Sequence, residues 1–321
     1  MIIIGAGMAG LLAANYFRKH EPIVYEKQKT LPHNHEALLR FRTEGIQSIT
    51  GIKTRQVVIR RGIIANNTYL DRPNPHVANA YAMKVSGRVI DRSIWNGTNA
   101  DHRFIPPTNF VELLARGVDI IYDTGLQFHD VTGNMKLQGL RAPIISTIPM
   151  PVLMSILDWK EKPNFSWKPI WVISASITFP VCDVQQTLYF SDLDNPVYRA
   201  SITGNRLSIE LNADPGTDAG TIFNATLENF GIPSSLAQTP GWKVSKQEFG
   251  KIVPIDENVR RGFMYQVTRD YNIYSLGRFA TWRQILLDDL CKDLQQIERM
   301  IMADSAYNQR LMSIAKQGSI Q

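Results

Sequence analysis

The chain predicts an α/β fold in two units. One is a parallel sheet wound with helices and split along the sequence; the other is an antiparallel sheet inserted into it. Three observations predict this. Residues 2–26 read as strand, glycine turn, helix and strand. Two later segments, 142–157 and 271–294, each read as a strand, a turn and a helix. Between them stand the β-rich runs Ile170–Phe179, Gln186–Phe190, Val197–Thr203 and Arg206–Leu211, closely spaced and separated by turn residues such as Gly204-Asn205.

Composition narrows the class. The 321 residues include 35 Lys+Arg against 29 Asp+Glu, a net charge of +6 that permits an acidic partner without requiring one. With 44% hydrophobic and 20% charged residues, the chain is neither disordered nor a coiled coil. The longest apolar run, from Ile170 to Val181, falls short of the roughly 18 residues a membrane-crossing helix needs. Cys182 and Cys291 are the only cysteines and stand far apart, which argues against a disulfide framework or a cysteine-based metal site. No basic segment followed by an apolar run precedes the first strand, so no secretory leader is expected. The predicted setting is a reducing cytoplasm, in which the N-x-T triplets at Asn66, Asn96 and Asn224 carry no meaning.

The opening element carries the most information. Ile2 to Ile4 form a short apolar run, and Gly5-Ala6-Gly7-Met8-Ala9-Gly10 matches G-x-G-x-x-G. A helix-compatible stretch follows to about Lys19, and Ile23-Val24-Tyr25 reads as a second strand ending in Glu26. Glu26 lies 21 positions after Gly5, close to the spacing of about 20 in dinucleotide-binding units. Each position has a physical reason. Gly5 allows the tight turn, Gly7 lets a pyrophosphate approach the backbone, and Gly10 lets helix and sheet pack closely. The helix start, at Met8 and Ala9, offers unpaired N–H groups and a positive dipole end to phosphate. Glu26 would accept hydrogen bonds from ribose hydroxyls and disfavour a 2′-phosphate. The whole predicts a Rossmann-like dinucleotide site.

The segment IIIGAGMAGLLAANYFRKHEPIVYEK resembles the amino terminus of FAD-binding oxidoreductases of the glutathione-reductase-like superfamily. Two further segments sharpen the resemblance. APIISTIPMPVLMSIL (Ala142–Leu157) is similar to the strand, T-x-P and helix stretch of amine-oxidase-like and UDP-galactopyranose-mutase-like flavoproteins. Its prolines, Pro149 and Pro151, suit the start of a helix. YNIYSLGRFATWRQILLDDLCKDL (Tyr271–Leu294) resembles the carboxy-terminal glycine–arginine motif of the mutase-like group. The resemblance implies that Gly277 and Arg278 approach the FAD pyrophosphate and that the long helix after them points at the flavin; Trp282 either stacks near the ligand or packs in the core. The usual second glycine pair after the acid is missing. In its place KQKTLPHNHEALLRFRT (Lys27–Thr43) partly resembles the arginine-bearing segment of flavin monooxygenases, which implies a phosphate contact for Arg42, with Arg40 next, and places Lys27 by the cofactor.

The remaining chain is assigned in order. Val57–Ile64 and Ala80–Ile90 read as strands, Phe110–Arg116 as a helix, and Val118–Tyr122 as a strand. Residues 128–137 read as a short hairpin, Thr217–Phe230 as a helix, and Trp242–Ile252 as a strand pair. The expected FAD-binding unit is 1–70, 108–160 and 245–321; the expected substrate-binding unit is 71–107 and 161–244.

FAD would bring its own reactive atom, so the chain needs to orient substrate and exclude water. No G-x-S-x-G or HExxH is present, and no metal site is expected. His33 and His35 sit in the loop after Glu26, and His35 is the acid–base candidate. Lys251 would hold a water near flavin N5, as a lysine does in some amine oxidases. Arg88, Arg92, Arg199 and Arg206 are candidates to bind an anionic substrate through a planar fork. Tyr81 and Tyr198 are candidates to line the flavin face.

The leading expectation is an FAD-dependent oxidoreductase that takes a hydride from a C–N bond of an amine or amino-acid-like small molecule, or from a C–O bond. A redox-neutral mutase acting on a nucleotide-sugar is the alternative, although the histidine-bearing glycine-rich loop expected of it is missing. A flavoprotein that acts on or is bound to nucleic acid is a third reading, motivated by charge alone.

Overall fold

The computed structural model describes residues 1–31, 38–90, 94, 101–125, 142–177, 185–233 and 241–318, with side chains described through 304. Two sheets organise it. The first has five strands: β1 (Ile2–Ile4), β2 (Ile23–Tyr25), β6 (Asp119–Ile121), β7 (Ile144–Ser146) and β13 (Ile273–Ser275). Their order is β13-β7-β1-β2-β6 and every pair is parallel. Such a sheet must be covered on both faces, and it is. On one side α1 (Met8–Tyr16), α2 (Gly45–Thr50), α4 (Phe110–Ala115) and α8 (Leu290–Gly318) bury Leu11, Leu12, Ile46, Leu114 and Leu294. On the other, α5 (Met150–Ile156) and α7 (Glu257–Tyr271) bury Leu153, Met154, Phe263 and Val267.

The second sheet has eight strands: β3 (Arg55–Ala65), β4 (Thr68–Leu70), β5 (Asp101–Ile105), β8 (Trp167–Ser176), β9 (Gln185–Phe190), β10 (Val197–Thr203), β11 (Arg206–Leu211) and β12 (Trp242–Ile252). It runs β12-β8-β11-β10-β9-β3-β4, with β5 beside β3. The expected antiparallel meander is corrected in two ways. β8 lies beside β11 in a Greek-key order, and β3 joins β9 in parallel, so the sheet is mixed. Residues 55–70 and 245–252, grouped with the nucleotide-binding unit on sequence, pair into this sheet. Trp242–Ile252 is one long strand, and the 128–137 hairpin lies outside the described residues. One face is covered by α6 (Ala219–Asn229), which packs Phe223 and Leu227 against Ile173, Ala200, Ile202 and Ile209. The other face meets α3 (Pro75–Ser86) and the parallel sheet.

α3 replaces the strand expected over Ala80–Ile90. Its cap signals outweigh the local alternation. Asn74 accepts from the Val77 N–H at 2.9 Å, Pro75 opens the first turn, and Gly87 closes the helix at φ +69°. Val77, Ala78, Tyr81, Ala82 and Val85 are all buried on one helical face. Lys84 then pins the helix to the mixed sheet, donating to the carbonyls of Phe190, Asp192 and Val197 at 3.0, 2.7 and 2.5 Å. Burial lowers its pKa to about 8.

Two tyrosines tie α8 to the parallel-sheet unit. Tyr16 donates to Glu298 at 2.6 Å and Tyr274 to Asp304 at 3.1 Å. Burial first, and the carboxylates next, push Tyr16 up to about 12 and Tyr274 further. Below the unfolded tyrosine value of about 10 both states are protonated and these contributions are complete. Above it the unfolded chain ionises first, so stability falls as pH rises toward the folded values. Thermal melts from pH 9 to 11 are expected to show that decline, and the Tyr16→Phe/Tyr274→Phe double variant should flatten it. An unchanged slope would remove these tyrosines from the account.

Candidate functional site

The glycine turn follows β1 directly, and each glycine has a different reason. Gly5 has φ +96°, and a Cβ there would lie 2.2 Å from Thr147 Oγ1. A Cβ on Gly10 would lie 1.9 Å from the Gly5 carbonyl oxygen. Gly7 differs from both. Its φ is −69°, which any residue adopts, and a Cβ would meet nothing within 4 Å. Nothing in the protein requires a glycine there. What its missing side chain leaves is open space in front of α1, a helix with no side-chain cap and no acid in its first turn. Met8 and Ala9 form that turn, so the helix end is arranged to receive an anion.

Glu26 ends β2 with only 8% of its surface exposed. Its carboxylate accepts the Ala6 N–H at 2.6 Å and the Gln28 N–H at 2.9 Å, which locks the glycine turn to the second strand. A carboxylate has about four lone-pair sites, so acceptor capacity remains. Lys27, next in sequence, is exposed beside Gly125.

The late turn meets the early one. Gly277 has φ +100°, and a Cβ there would lie 3.1 Å from the Ala9 Cβ. Residues 277–282 form a turn, and the long helix α8 starts at Leu290. Arg278 donates from Nη2 to the Gly250 carbonyl at 2.9 Å, and its buried Nε has no partner. Burial lowers its pKa. A diphosphate-bearing cofactor fits these features: an open glycine, an uncapped helix end and a guanidinium with an unmade hydrogen bond, all at one junction.

Beside this junction the mixed sheet presents polar side chains on the face away from α6. Two strand irregularities aim them. β10 bulges between Val197 and Arg199 opposite Glu210, so Tyr198 and Arg199 both turn to the same face. Tyr198 donates to Glu210. Arg199 grips the same carboxylate, with Nη2 2.6 and 2.7 Å from its two oxygens and Nε at 3.0 Å. β12 slips register between Gln247 and Lys251, which frees the Gly250 carbonyl for Arg278 and turns Lys251 inward. Lys251 Nζ donates to Asn212 Oδ1 at 2.6 Å and sits 3.8 Å from the Tyr198 ring centroid.

Electrostatics at this face are one-sided. Burial first and Glu210 second hold Tyr198 well above the ordinary tyrosine range, so it stays a neutral phenol. Burial pushes Arg199 down, but Glu210 and the neighbouring tyrosines outweigh it and hold the guanidinium well above its usual value. Of the Arg199 side chain 43% stays accessible, so part of the guanidinium is open to an incoming group. Arg40 lies across the same face. It donates to Thr187 Oγ1 at 2.5 Å, to Thr203 Oγ1 at 2.7 and 3.0 Å, and to the Ile202 carbonyl at 2.8 Å. Burial, then the nearby Arg199, lowers its pKa to about 10. A groove of about 620 Å³ opens nearby, lined by Leu38, Leu39, Arg55, Thr203 and Arg206 among others.

Several candidates stand elsewhere. Arg42 does not reach toward the glycine turn; it donates to Asp288 at 3.0 Å and Asp289 at 2.6 Å, and those hydrogen bonds, Asp289 first, raise its pKa. Trp282 is 2% exposed, packs on Phe165 and donates to the Val253 carbonyl at 2.8 Å, a core role rather than a ligand contact. Tyr81 belongs to α3 rather than a strand and packs edge-on against Tyr189 at 5.4 Å. Arg88 is exposed just past α3. His76 lies on α3 and His102 on β5. His33, His35 and Arg92 lie outside the described residues. Sequence reasoning missed Glu210 and Asn212. Glu210 had one signal, a lone acid in the otherwise apolar strand RLSIEL; Asn212 had none. Among the described residues no cluster of His, Cys, Asp and Glu is arranged to hold a metal, and no helix is long and apolar enough to cross a membrane.

No family model and no curated protein matches the sequence. Solved structures do match. The chain is similar to a reduced UDP-galactopyranose mutase at 14% identity, covering 94% of this chain and 95% of that one, with a TM-score of 0.65. A protein assigned as a protoporphyrinogen oxidase from Exiguobacterium sp. 255-15 is similar at 11% identity, over 94% and 98% of the two chains, with a TM-score of 0.57. A flavoprotein/dehydrogenase from Cytophaga hutchinsonii follows at 14% identity, over 92% and 78%, with a TM-score of 0.50. At these identities the likeness shows a shared fold.

Proposed function

We propose that the chain is an FAD-dependent oxidoreductase, built on a Rossmann-like cofactor unit, that removes a hydride from the C–H of an amine- or alcohol-bearing carbon in a small anionic substrate. The observation that carries this reading is the meeting of the two turns, Gly277 against Ala9, beside a sheet face of cations. Bound FAD supplies the hydride acceptor, a chemistry that no side chain provides. The chain's own groups would do the rest. Gly7 and the α1 N-terminus receive the diphosphate, Arg278 offers its unpaired Nε, and Glu26 accepts ribose hydroxyls with its spare lone pairs. Arg199 and Lys251 orient an anionic substrate from the sheet face. Tyr198 donates to Glu210 and stays protonated at neutral pH, so it shapes the site rather than removing a proton.

The test is direct. Purified protein should be yellow, and anaerobic addition of the correct amine, amino acid or alcohol should bleach it, with colour returning in air. A coloured protein that none of these bleaches would defeat the oxidoreductase reading. One observation favours a second reading. The likeness to the mutase spans nearly the whole of both chains, and a redox-neutral enzyme acting on a nucleotide-sugar would also need a cationic face. Turnover that appears only after dithionite reduction would select it.

A further inference from the structure

Arg40 is the least explained charge in the molecule. Its partners are two threonine hydroxyls and the backbone of β9 and β10, all neutral. Among the described residues no carboxylate pairs with it. Burying a cation on neutral acceptors is unfavourable unless an anion compensates. The five-donor fork ties residues 38–42 to the sheet, but those neutral acceptors leave the charge itself unbalanced. The neighbourhood is divided: Arg199, the strongest of these charges in effect, and Arg103 disfavour the Arg40 cation, while Tyr189 and Glu210 favour it. Lys251 and Arg278 adjoin the same face through Tyr198. Glu210 is the one acid on that face in these contacts, and Arg199 already holds both of its oxygens. Among the described residues the space beside Arg199 is therefore under a positive potential that no further carboxylate offsets.

We propose that Arg40 sets the charge this sheet face selects, giving preference to a substrate group with two negative charges, a phosphate-type oxyanion held on Arg199 with Arg40 behind it. This rests on the reading of that face as the substrate side of the site. Arg199 keeps Nη1 clear of Glu210, so it has N–H groups left for an incoming oxygen. Arg40 has nearly all of its donors committed and acts through its field, as a positioning and selecting residue. A single anionic charge would leave the face positive; a second one is where Arg40 contributes.

Methyl phosphate and methanesulfonate test this, because they share a shape and differ in charge. Methyl phosphate carries its second charge above about pH 6, whereas the sulfonate stays a monoanion. Calorimetric titration of the whole protein at constant ionic strength and about pH 8 should show methyl phosphate binding about tenfold more tightly. That margin should shrink as pH falls below about 6, a measurement that needs no variant. R40Q should reduce the margin to about twofold, R40K should restore it, and R199M should weaken both ligands. Equal binding of the two ligands by the native protein, or an undiminished margin in R40Q, would overturn the proposal. The Gly7→Val protein separates this from the cofactor reading. If the margin persists without flavin, the subsite is independent of the cofactor. If it disappears, the anion was occupying the cofactor's place and the proposal fails.

Discussion

Valine at Gly7 is expected to leave the fold standing and abolish flavin binding, whereas valine at Gly10 is expected to break the fold. The two glycines sit three residues apart in one turn, yet the protein surrounds them differently. At Gly10 an added Cβ would lie 1.9 Å from a backbone carbonyl oxygen, which cannot step aside without moving β1 from α1. Overpacking of this kind costs roughly 3 kcal/mol or more. At Gly7 the backbone is already in a region open to valine, and no protein atom lies within 4 Å of the new Cβ. The remaining cost is the poorer helix cap, about 1 kcal/mol at most. That small loss would come with at least a hundredfold weaker affinity for FAD, about 2.7 kcal/mol, because the side chain fills the space the diphosphate needs. Thermal melts and FAD titrations of both variants separate stability from binding. A Gly7→Val protein that keeps its colour and native affinity would mean that the open space in front of α1 is not the cofactor's.

The contrast also shows what the sequence could and could not convey. The turn at residues 5–10, the acid at 26 and the late glycine–arginine pair were legible because each depends on local backbone needs: a positive φ, a close approach, a helix end. Their meeting in space followed from reading both segments as strand-to-helix junctions of one parallel sheet. Properties that depend on pairing between distant strands were not legible. The bulge that turns Tyr198 and Arg199 to one face exists only because β11 offers Glu210 opposite it. Arg40 looked like a phosphate contact of the cofactor unit, but its acceptors come from β9 and β10, more than a hundred residues away. Arg42 was drawn off by Asp288 and Asp289 at the entry to α8. α3 was misread for a different reason. Tyr81, Met83 and Val85 alternate, but Asn74, Pro75 and Gly87 had already marked both ends of a helix.

Replacing Glu210 by glutamine is expected to loosen the sheet face proposed to hold the substrate. Glu210 is 8% exposed and accepts one O–H and three N–H contacts, from Tyr198 and Arg199. An amide of the same size offers one acceptor oxygen and turns its NH2 group toward a guanidinium or a phenol, so at least one donor pair would meet with no acceptor between. Removing one partner of a buried ion pair costs about 3–5 kcal/mol. Arg199 keeps 43% of its side chain accessible, so water relieves part of that. A loss of about 2 kcal/mol is the discounted expectation, and the melting temperature should fall by about 3 °C. Tyr198→Phe alone should cost less, about 1 kcal/mol for one hydrogen bond. The double variant should cost less than the sum, since the phenol and the carboxylate share one interaction. The alkaline limb gives an independent reading. Tyr198 is held above its unfolded value of about 10, so its contribution is whole below that pH and is lost as pH rises through the folded value. Burial is the first cause and survives in the variant; the charge of Glu210 is the second and does not. The limb should therefore persist in Glu210→Gln but become shallower. If Glu210→Gln matched the native protein in melting temperature, in alkaline slope and in methyl phosphate affinity, the carboxylate would hold neither the bulge nor Arg199 in place.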